Sequence, residues 1–207
     1  MGARTGVIAE SRGLRSYDRS MADSAGGHVA VTRRLWDEHM SAWFERYARS
    51  RWVSAEPSRG MWCIPQSRLP VLPVGLDGVV AVELGCGSGY VSAWLARRGA
   101  RPAGVDVSAR QLAVAHRLQG EFGLRFPLVQ ADAERVPLGA GCADLVISEY
   151  GASVWCDPYR WIPKRLGCCG LVAGWCSWPS PRWRACVSRS EGRRPAGWSV
   201  TCSGCTA

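Results

Sequence analysis

The run Val82 to Gly89 reads V-E-L-G-C-G-S-G, with one carboxylate, Glu83, ahead of three alternate glycines, Gly85, Gly87 and Gly89. Glycines at that spacing leave a backbone that a ligand can approach closely and that turns through left-handed conformations at little cost. A second acid, Asp106, stands about 20 residues beyond the first glycine at the end of another apolar run, where such an acid accepts hydrogen bonds from a ribose diol. Together they describe a nucleoside-binding edge, in which bare N–H groups and the positive end of the next helix meet the ligand.

Spacing chooses between two nucleoside cofactors. A dinucleotide fingerprint, G-x-G-x-x-G, needs its third glycine at position 90, and that residue is Tyr90. A pyrophosphate is also poorly served by Glu83, whereas a sulfonium carrying an amino-acid ammonium tolerates or wants that carboxylate. The loop is therefore read as a site for S-adenosylmethionine rather than for a nicotinamide dinucleotide.

The elements that must hold these residues follow from hydrophobic pattern. Residues 79–84, V-V-A-V-E-L, form a short, almost wholly apolar run expected of a strand buried on both faces. Val91, Trp94, Leu95 and Arg98 then repeat at helical spacing, and Gly99 closes that helix. Residues 101–107 read as a second strand. Ser108 and Gln111 have capping-box spacing, with Gln111 reaching back to the cap. Leu112, Ala115 and Leu118 give the next helix its buried stripe, and Gly120 and Gly123 break it. Residues 126–130 and 143–148 read as third and fourth strands. Strand alternating with helix in this order predicts an α/β, Rossmann-like, doubly wound and mostly parallel sheet.

Ahead of it, Trp36, Met40, Trp43, Phe44 and Tyr47 recur at three- and four-residue steps from about Thr32, with Thr32 or a neighbour as the predicted cap. That is one face of an N-terminal amphipathic helix, expected to pack on the domain rather than to form a ligand-contacting lid. Residues 54–78 hold four prolines and read as an irregular connection, with M-W-C-I-P as a short strand or docking patch.

Over residues 79–163 the ordered motifs resemble a class I S-adenosylmethionine-dependent methyltransferase of the small-molecule type. V-E-L-G-C-G-S-G is similar to that family's first motif. The resemblance implies that Glu83, Gly85, Cys86, Gly87 and Gly89 border the methionine part of the cofactor. G-V-D-V-S puts Asp106 at the ribose and Val107 beside the adenine, with Gln111 close by. Q-A-D-A-E puts Asp132 at the adenine amino group with Ala133 next to it, and D-L-V-I-S-E-Y puts Ser148 at the methionine end. Glu149 and Tyr150 are the catalytic candidates, since the fourth strand ends at the reacting methyl. The implied partner is a small-molecule methyl acceptor, which the motifs do not identify, and no metal is implied.

Other residues have plainer readings. Gly99 and Gly104 are taken as turn or packing glycines, and Asp144 as stabilising the start of a strand. His28, His39 and His116 are scattered, with His116 on a solvent-facing side. No apolar run approaches the roughly 18 residues of a membrane span. The first residues show neither a signal peptide nor a myristoylation pattern, so a cytoplasmic location is expected. Residues 1–28 are Gly-, Ser- and Arg-rich and expected to be disordered, with Met21 a plausible start.

The formal net charge is +9, but residues from Lys164 onward carry +6 of it. Six of the ten cysteines also fall there, including the Cys202–Cys205 C-x-x-C pair, which lacks a second pair at zinc-finger spacing. Charge confined to such a tail, and not interleaved with aromatics on a folded face, argues against nucleic-acid binding. The family continues with a helix, a turn like L-R-P-G-G and a fifth strand. This chain has K-R-L-G-C-C-G-L-V-A-G-W-C-S-W instead, without sustained period. Back-translated with suitably chosen codons and with one base restored before the Lys164 codon, the segment can read E-A-A-R-L-L-R-P-G-G-W-L-V-F-L-A, so residues 164–207 are read as an out-of-frame tail. The last family strands are then expected to be missing, the fourth strand to be an exposed edge, and the written chain to be unstable and a weak cofactor binder.

Overall fold

The computed structural model describes residues 27–60, 62–136 and 142–161, together with the backbone of residues 169–175 and 188–189. The chain enters through helix α1, Gly27–Leu35, passes a π-helical turn at Trp36–Met40, and continues as α2, Ser41–Val53. The helix thus begins ahead of the predicted cap Thr32 and is interrupted. The widened turn is held by Ser41, whose N–H and hydroxyl both go to the Trp36 carbonyl, the hydroxyl at 2.6 Å.

A two-stranded hairpin follows, β1 at Ser58–Arg59 antiparallel to β2 at Ile64–Pro65, so part of the M-W-C-I-P run is indeed a short strand. The main sheet is then laid down as β3 (Val80–Leu84), α3 (Tyr90–Arg97), β4 (Arg101–Asp106), α4 (Ala109–Phe122), β5 (Leu128–Gln130) and β6 (Ala143–Glu149). A short helix, α5 (Ala152–Trp155), precedes β7 (Cys169–Trp175) and β8 (Ser188–Arg189). In space the order is β5-β4-β3-β6-β7-β8. Every pairing from β5 to β7 is parallel, and only β8 is antiparallel.

This is the Rossmann-like, doubly wound sheet that the alternation predicts. Its order reverses at β3, with β4 on one side and β6 on the other. A crevice therefore opens at the carboxyl ends of those strands.

Two expectations fail here. The fourth strand, β6, is not an exposed edge: β7 pairs with it in parallel from Ala143↔Cys169 to Glu149↔Trp175. An apolar run able to satisfy that row of backbone groups lies in the written frame, so a strand forms there. Likewise Gly120 does not break α4, which runs through to Phe122. Gly123 ends it in the left-handed conformation, φ 64°. The cysteine pair 202–205 and residues 1–26 of the stretch 1–28 expected to be disordered lie outside the described residues; Gly27 and His28 are instead the first residues of α1, His28 being held by Glu134.

Burial explains the remaining arrangement. Val91, Trp94 and Leu95 of α3 and Leu112, Ala115 and Leu118 of α4 are buried on the sheet. At the sheet's entrance, the Asp144 carboxylate accepts the Val80 N–H at 2.9 Å and fixes the start of β3. Gly104 is a packing glycine, because a Cβ there would lie 2.9 Å from Cys86 Sγ. Trp52 of α2 is fully buried, between Phe122 and Phe126 at centroid distances of 5.5 and 6.2 Å. Its Nε1 donates to the Ser88 carbonyl at 2.9 Å, so the N-terminal helix is pinned to the glycine loop itself. Trp52→Ala should cost about 3–5 kcal/mol of folding free energy, the range for emptying a large aromatic site. Urea denaturation followed by far-UV circular dichroism checks this, and a loss under about 1 kcal/mol contradicts the packing described.

Candidate functional site

β3 ends in Glu83-Leu84, and the chain then turns through Gly85, Gly87 and Gly89, all at positive φ (70°, 53° and 73°). The turn at Gly85 is forced by contact. A Cβ there would sit 2.4 Å from Gly151 Cα, where the chain leaving β6 crosses the chain leaving β3. At Gly87 the N–H donates to Asp106 at 2.8 Å, and the same carboxylate accepts the Ser108 N–H at 2.8 Å. Burial raises the Asp106 carboxyl above its ordinary range, while those N–H groups act to lower it.

These elements enclose a cavity of about 590 Å³. It is bordered by Glu83, Gly85, Cys86, Gly87, Asp106, Val107, Gln111, Asp132, Ala133, Glu149 and Tyr150, so eleven of the thirteen residues singled out in the sequence come together around one space. Gly89 and Ser148 do not border it. Gly89 serves packing, since a Cβ there would meet Ala115 Cβ at 3.2 Å. Ser148 is buried one step behind the wall, donating to the Leu84 carbonyl at 2.8 Å and accepting the Ser153 N–H at 3.1 Å. It locks the ends of β3 and β6 together.

The capping-box reading is half right. Ser108 Oγ accepts the Gln111 N–H at 3.1 Å, as a cap should. The Gln111 side chain does not reach back, however, and donates to Ser41 Oγ at 2.9 Å. The Ser108 N–H it was expected to serve is taken by Asp106.

Three further carboxylates have defined settings. Glu83 Oε2 accepts both the N–H and the hydroxyl of Ser92, at 2.8 and 2.5 Å. Burial nevertheless pushes its pKa up to about 8, against those two hydrogen bonds. Asp132 accepts the Glu134 N–H at 2.8 Å. Glu149 accepts the Gly60 N–H at 3.0 Å and an Arg59 guanidinium N–H at 3.3 Å. Burial raises its carboxyl, opposed by Gly60 and Arg59. Tyr150 lies at φ 55°, an uncommon conformation for a side-chain-bearing residue, on the cavity's edge. Cys86 also borders the cavity, and burial holds its thiol neutral.

The N-terminal helices contribute what sequence reasoning assigned elsewhere. Trp36, Met40, Trp43 and Phe44 line the cavity instead of packing in the core, where Ala48 and Trp52 lie. The three- and four-residue spacing was legible, but it marks an apolar face without saying what covers it. The same segment is fastened to α4 by Asp37, which accepts the Ser108 hydroxyl at 2.6 Å. His28 Nε2 lies 2.6 Å from the buried Glu134 carboxylate, which ties α1 to the segment after β5. His39 and His116 are exposed. Among the described residues no cluster of side chains suits a metal ion, and no helix is long and apolar enough to cross a membrane.

A mostly parallel sheet with a bare glycine turn, a buried acid at the end of the neighbouring strand and a cavity between them defines a Rossmann-like domain with a crevice at the carboxyl ends of its strands. Residues 82–163 match the family described as a methyltransferase domain, and that segment is similar to class I S-adenosylmethionine-dependent methyltransferases. The ubiquinone biosynthesis O-methyltransferase of Methylobacterium sp. (strain 4-46) is 31% identical over 126 residues, 54% of this chain and 51% of that protein. The malonyl-acyl-carrier-protein O-methyltransferase of Pectobacterium atrosepticum is 30% identical over 100 residues, 48% of this chain and 36% of that protein. The chain thus spans about half or less of the length of these relatives. Among solved structures, a Methanococcus maripaludis protein provisionally assigned as an S-adenosyl-L-methionine-dependent methyltransferase superposes with TM-score 0.51 and 17% identity, covering 67% of this chain and 64% of that one. The [4+2]-cyclase SpnF superposes with TM-score 0.55 and 21% identity, covering 69% and 58%. Those likenesses establish the fold; a cyclase on the same fold shows that chemistry is set by the site.

The raised Glu83 carboxyl has a consequence for stability. Between its ordinary value of 4.5 and about 8, the folded protein keeps a proton that the unfolded chain has released. Stability therefore falls as pH rises through that window. Glu83→Gln should flatten this part of the stability–pH curve, read by denaturation midpoints at closely spaced pH values. An unchanged slope would contradict the burial of an ionisable Glu83.

Proposed function

We propose that the chain binds S-adenosylmethionine in this cavity and transfers its methyl group to a small molecule. The observation that carries the reading is Asp106, a buried carboxylate aimed by two backbone N–H groups at the mouth of the glycine turn. The residues present fit the cofactor. A Cβ at Gly87 would meet only Gln111 Oε1, at 3.4 Å, so the bare backbone keeps that wall open toward the cavity.

The two carboxylate oxygens of Asp106 accept the Gly87 and Ser108 N–H groups, and the carboxylate is a ready acceptor for the hydroxyls of a ribose. Asp132, Val107 and Ala133 border the part of the cavity suited to the adenine, and Glu83 the part suited to a cationic methionine end. When bound, the cofactor supplies an activated methyl: its C–S bond breaks with the electron pair left on sulfur while an acceptor lone pair bonds to carbon. The protein's share is to align the acceptor and exclude water. Glu149 is positioned to take an acceptor proton, and its burial raises it toward the range of a working base.

A second reading, a cofactor-binding chain without turnover, is supported by residues 164–207, whose pattern departs from that of the family. Residues 164–207 continue to be read as out of frame. The strand Cys169–Trp175 does not decide between frames, because both supply an apolar run there.

Isothermal titration with S-adenosylhomocysteine and with NAD tests the function. The former should bind and the latter should not. Asp106→Asn should weaken S-adenosylhomocysteine roughly 10–100-fold, as expected for losing about 1.5–3 kcal/mol of charge-assisted bonding. Absence of S-adenosylhomocysteine binding overturns the reading, and binding without methylation of any acceptor supports the non-catalytic one. Resequencing the gene across the codons for Pro163 and Lys164 should reveal one additional base; an unchanged read refutes the frame assignment.

A further inference from the structure

Two parts of the cavity wall differ in chemistry. One carries the glycine turn and Asp106. The other is made by Trp36, Met40, Trp43 and Phe44 from the N-terminal helices and by Val154 and Trp155 from α5. Trp36 and Phe44 have centroids 5.1 Å apart, and Trp36 meets Trp155 edge-on at 5.8 Å and 82°. An aromatic roof therefore crosses from the helix before the sheet to the helix after β6.

That roof is not sealed. Trp43 packs on Phe44 at 4.8 Å yet stays 52% exposed, and Val154 stays 38% exposed. Apolar side chains gathered at the mouth of a cavity and left in contact with water mark a surface whose burial by a ligand is favourable. Aromatic walls in particular favour flat ligands that stack or meet ring edges.

Charge narrows the class further. Glu83, Asp106, Asp132 and Glu149 all border the cavity. Arg51 is the one guanidinium on its wall among the described residues, and it lies over the Tyr90 ring at 5.8 Å. Arg59 is committed beneath the wall to Glu149 and to Gln66, at 3.3 and 2.9 Å. Glu83 is held protonated up to about pH 8, so an anionic acceptor would meet repulsion from Asp106, Asp132 and Glu149 where these are ionised, in a space of low dielectric.

Resting on the methyl-transfer reading above, we propose that the aromatic part is the acceptor subsite and that it takes an uncharged aromatic hydroxy compound. The hydroxyl oxygen forms the new bond to the methyl carbon as the carbon–sulfur bond breaks, and the hydroxyl proton passes to the Glu149 carboxylate. Trp36, at the junction of the helical roof and α5, sets the preference for a flat, apolar ring.

Equilibrium dialysis of the full chain against naphthol and naphthoate, substituted at the same ring position, tests this with and without saturating S-adenosylhomocysteine. Naphthol should bind at least roughly tenfold more tightly than naphthoate, the expected effect of placing an anion in an acidic, apolar pocket. Trp36→Ala should weaken naphthol by roughly tenfold, the scale of losing an aromatic contact and its buried area, while S-adenosylhomocysteine affinity stays within about twofold. Equal or tighter binding of naphthoate overturns the proposal, as does naphthol binding that Trp36→Ala leaves unchanged. If S-adenosylhomocysteine does not bind, the cofactor reading fails, yet the naphthol titration still decides the apolar subsite. If Trp36→Ala does not fold, the matched pair on the unaltered chain decides alone.

Discussion

The site depends on a contact between two backbones. Where β3 and β6 release their chains, Gly85 and Gly151 pass so closely that a Cβ on Gly85 would fall 2.4 Å from Gly151 Cα, and one on Gly151 would fall 2.3 Å from the Gly85 carbonyl oxygen. No side chain fits between them, and Ser148 ties the same strand ends from behind through the Leu84 carbonyl. This crossing fixes both lips of the crevice at the point where strand order reverses. It sends one chain through the left-handed turn toward Gly87 and Asp106, and the other through Tyr150 at positive φ to the edge of the cavity. A looser crossing would leave the glycine N–H groups and the Glu149–Tyr150 end of β6 without a fixed relation.

Electrostatics follow from that geometry. Parallel strands ending together deliver Glu83, Asp106 and Glu149 to one small region, and burial raises all three carboxyls. Each is held by directed donors: Ser92 for Glu83, Gly87 and Ser108 for Asp106, Gly60 and Arg59 for Glu149. Such a cluster is costly to assemble without a compensating charge, and a cationic ligand supplies one. A pyrophosphate would add to the repulsion among those carboxylates that stay ionised, Glu83 itself keeping its proton up to about pH 8.

The sheet was legible because its strands are short apolar runs bounded by glycine and its helices carry clear stripes. Periodicity reports such features directly. The glycine turn and Asp106 were legible because their chemistry is local, set by spacing along the chain. Gly89 and Ser148 look like ligand contacts in sequence and are packing elements in space, since a motif does not distinguish a wall from what supports it. Gln111 carries the spacing of a capping box, but a long-range partner, Ser41, claims its amide. The strand after β6 was missed for another reason. The run Cys169–Trp175 lacks the flanking signals that the family supplies, yet an unpaired parallel strand accepts an apolar partner whose neighbours are atypical.

The N-terminal aromatics show the limit most clearly. A stripe of Trp36, Met40, Trp43 and Phe44 is compatible with a core-facing helix and with a cavity roof, because both hide apolar area from water. The choice is made by residues that sequence pattern cannot weight. Trp52, about two turns beyond the stripe, reaches across to the Ser88 carbonyl, and Asp37 caps α4 from the other end of the segment. Anchored through Asp37 and Trp52, the segment holds Met40, Trp43 and Phe44 on the cavity wall, and Trp36, just ahead of the first anchor, comes within 5.8 Å of Trp155. The roof is therefore built from the same contacts that attach the N-terminal helices to the glycine loop and to the start of α4. Those are the two backbone segments that hold Asp106, so the roof and the glycine turn share one set of anchors.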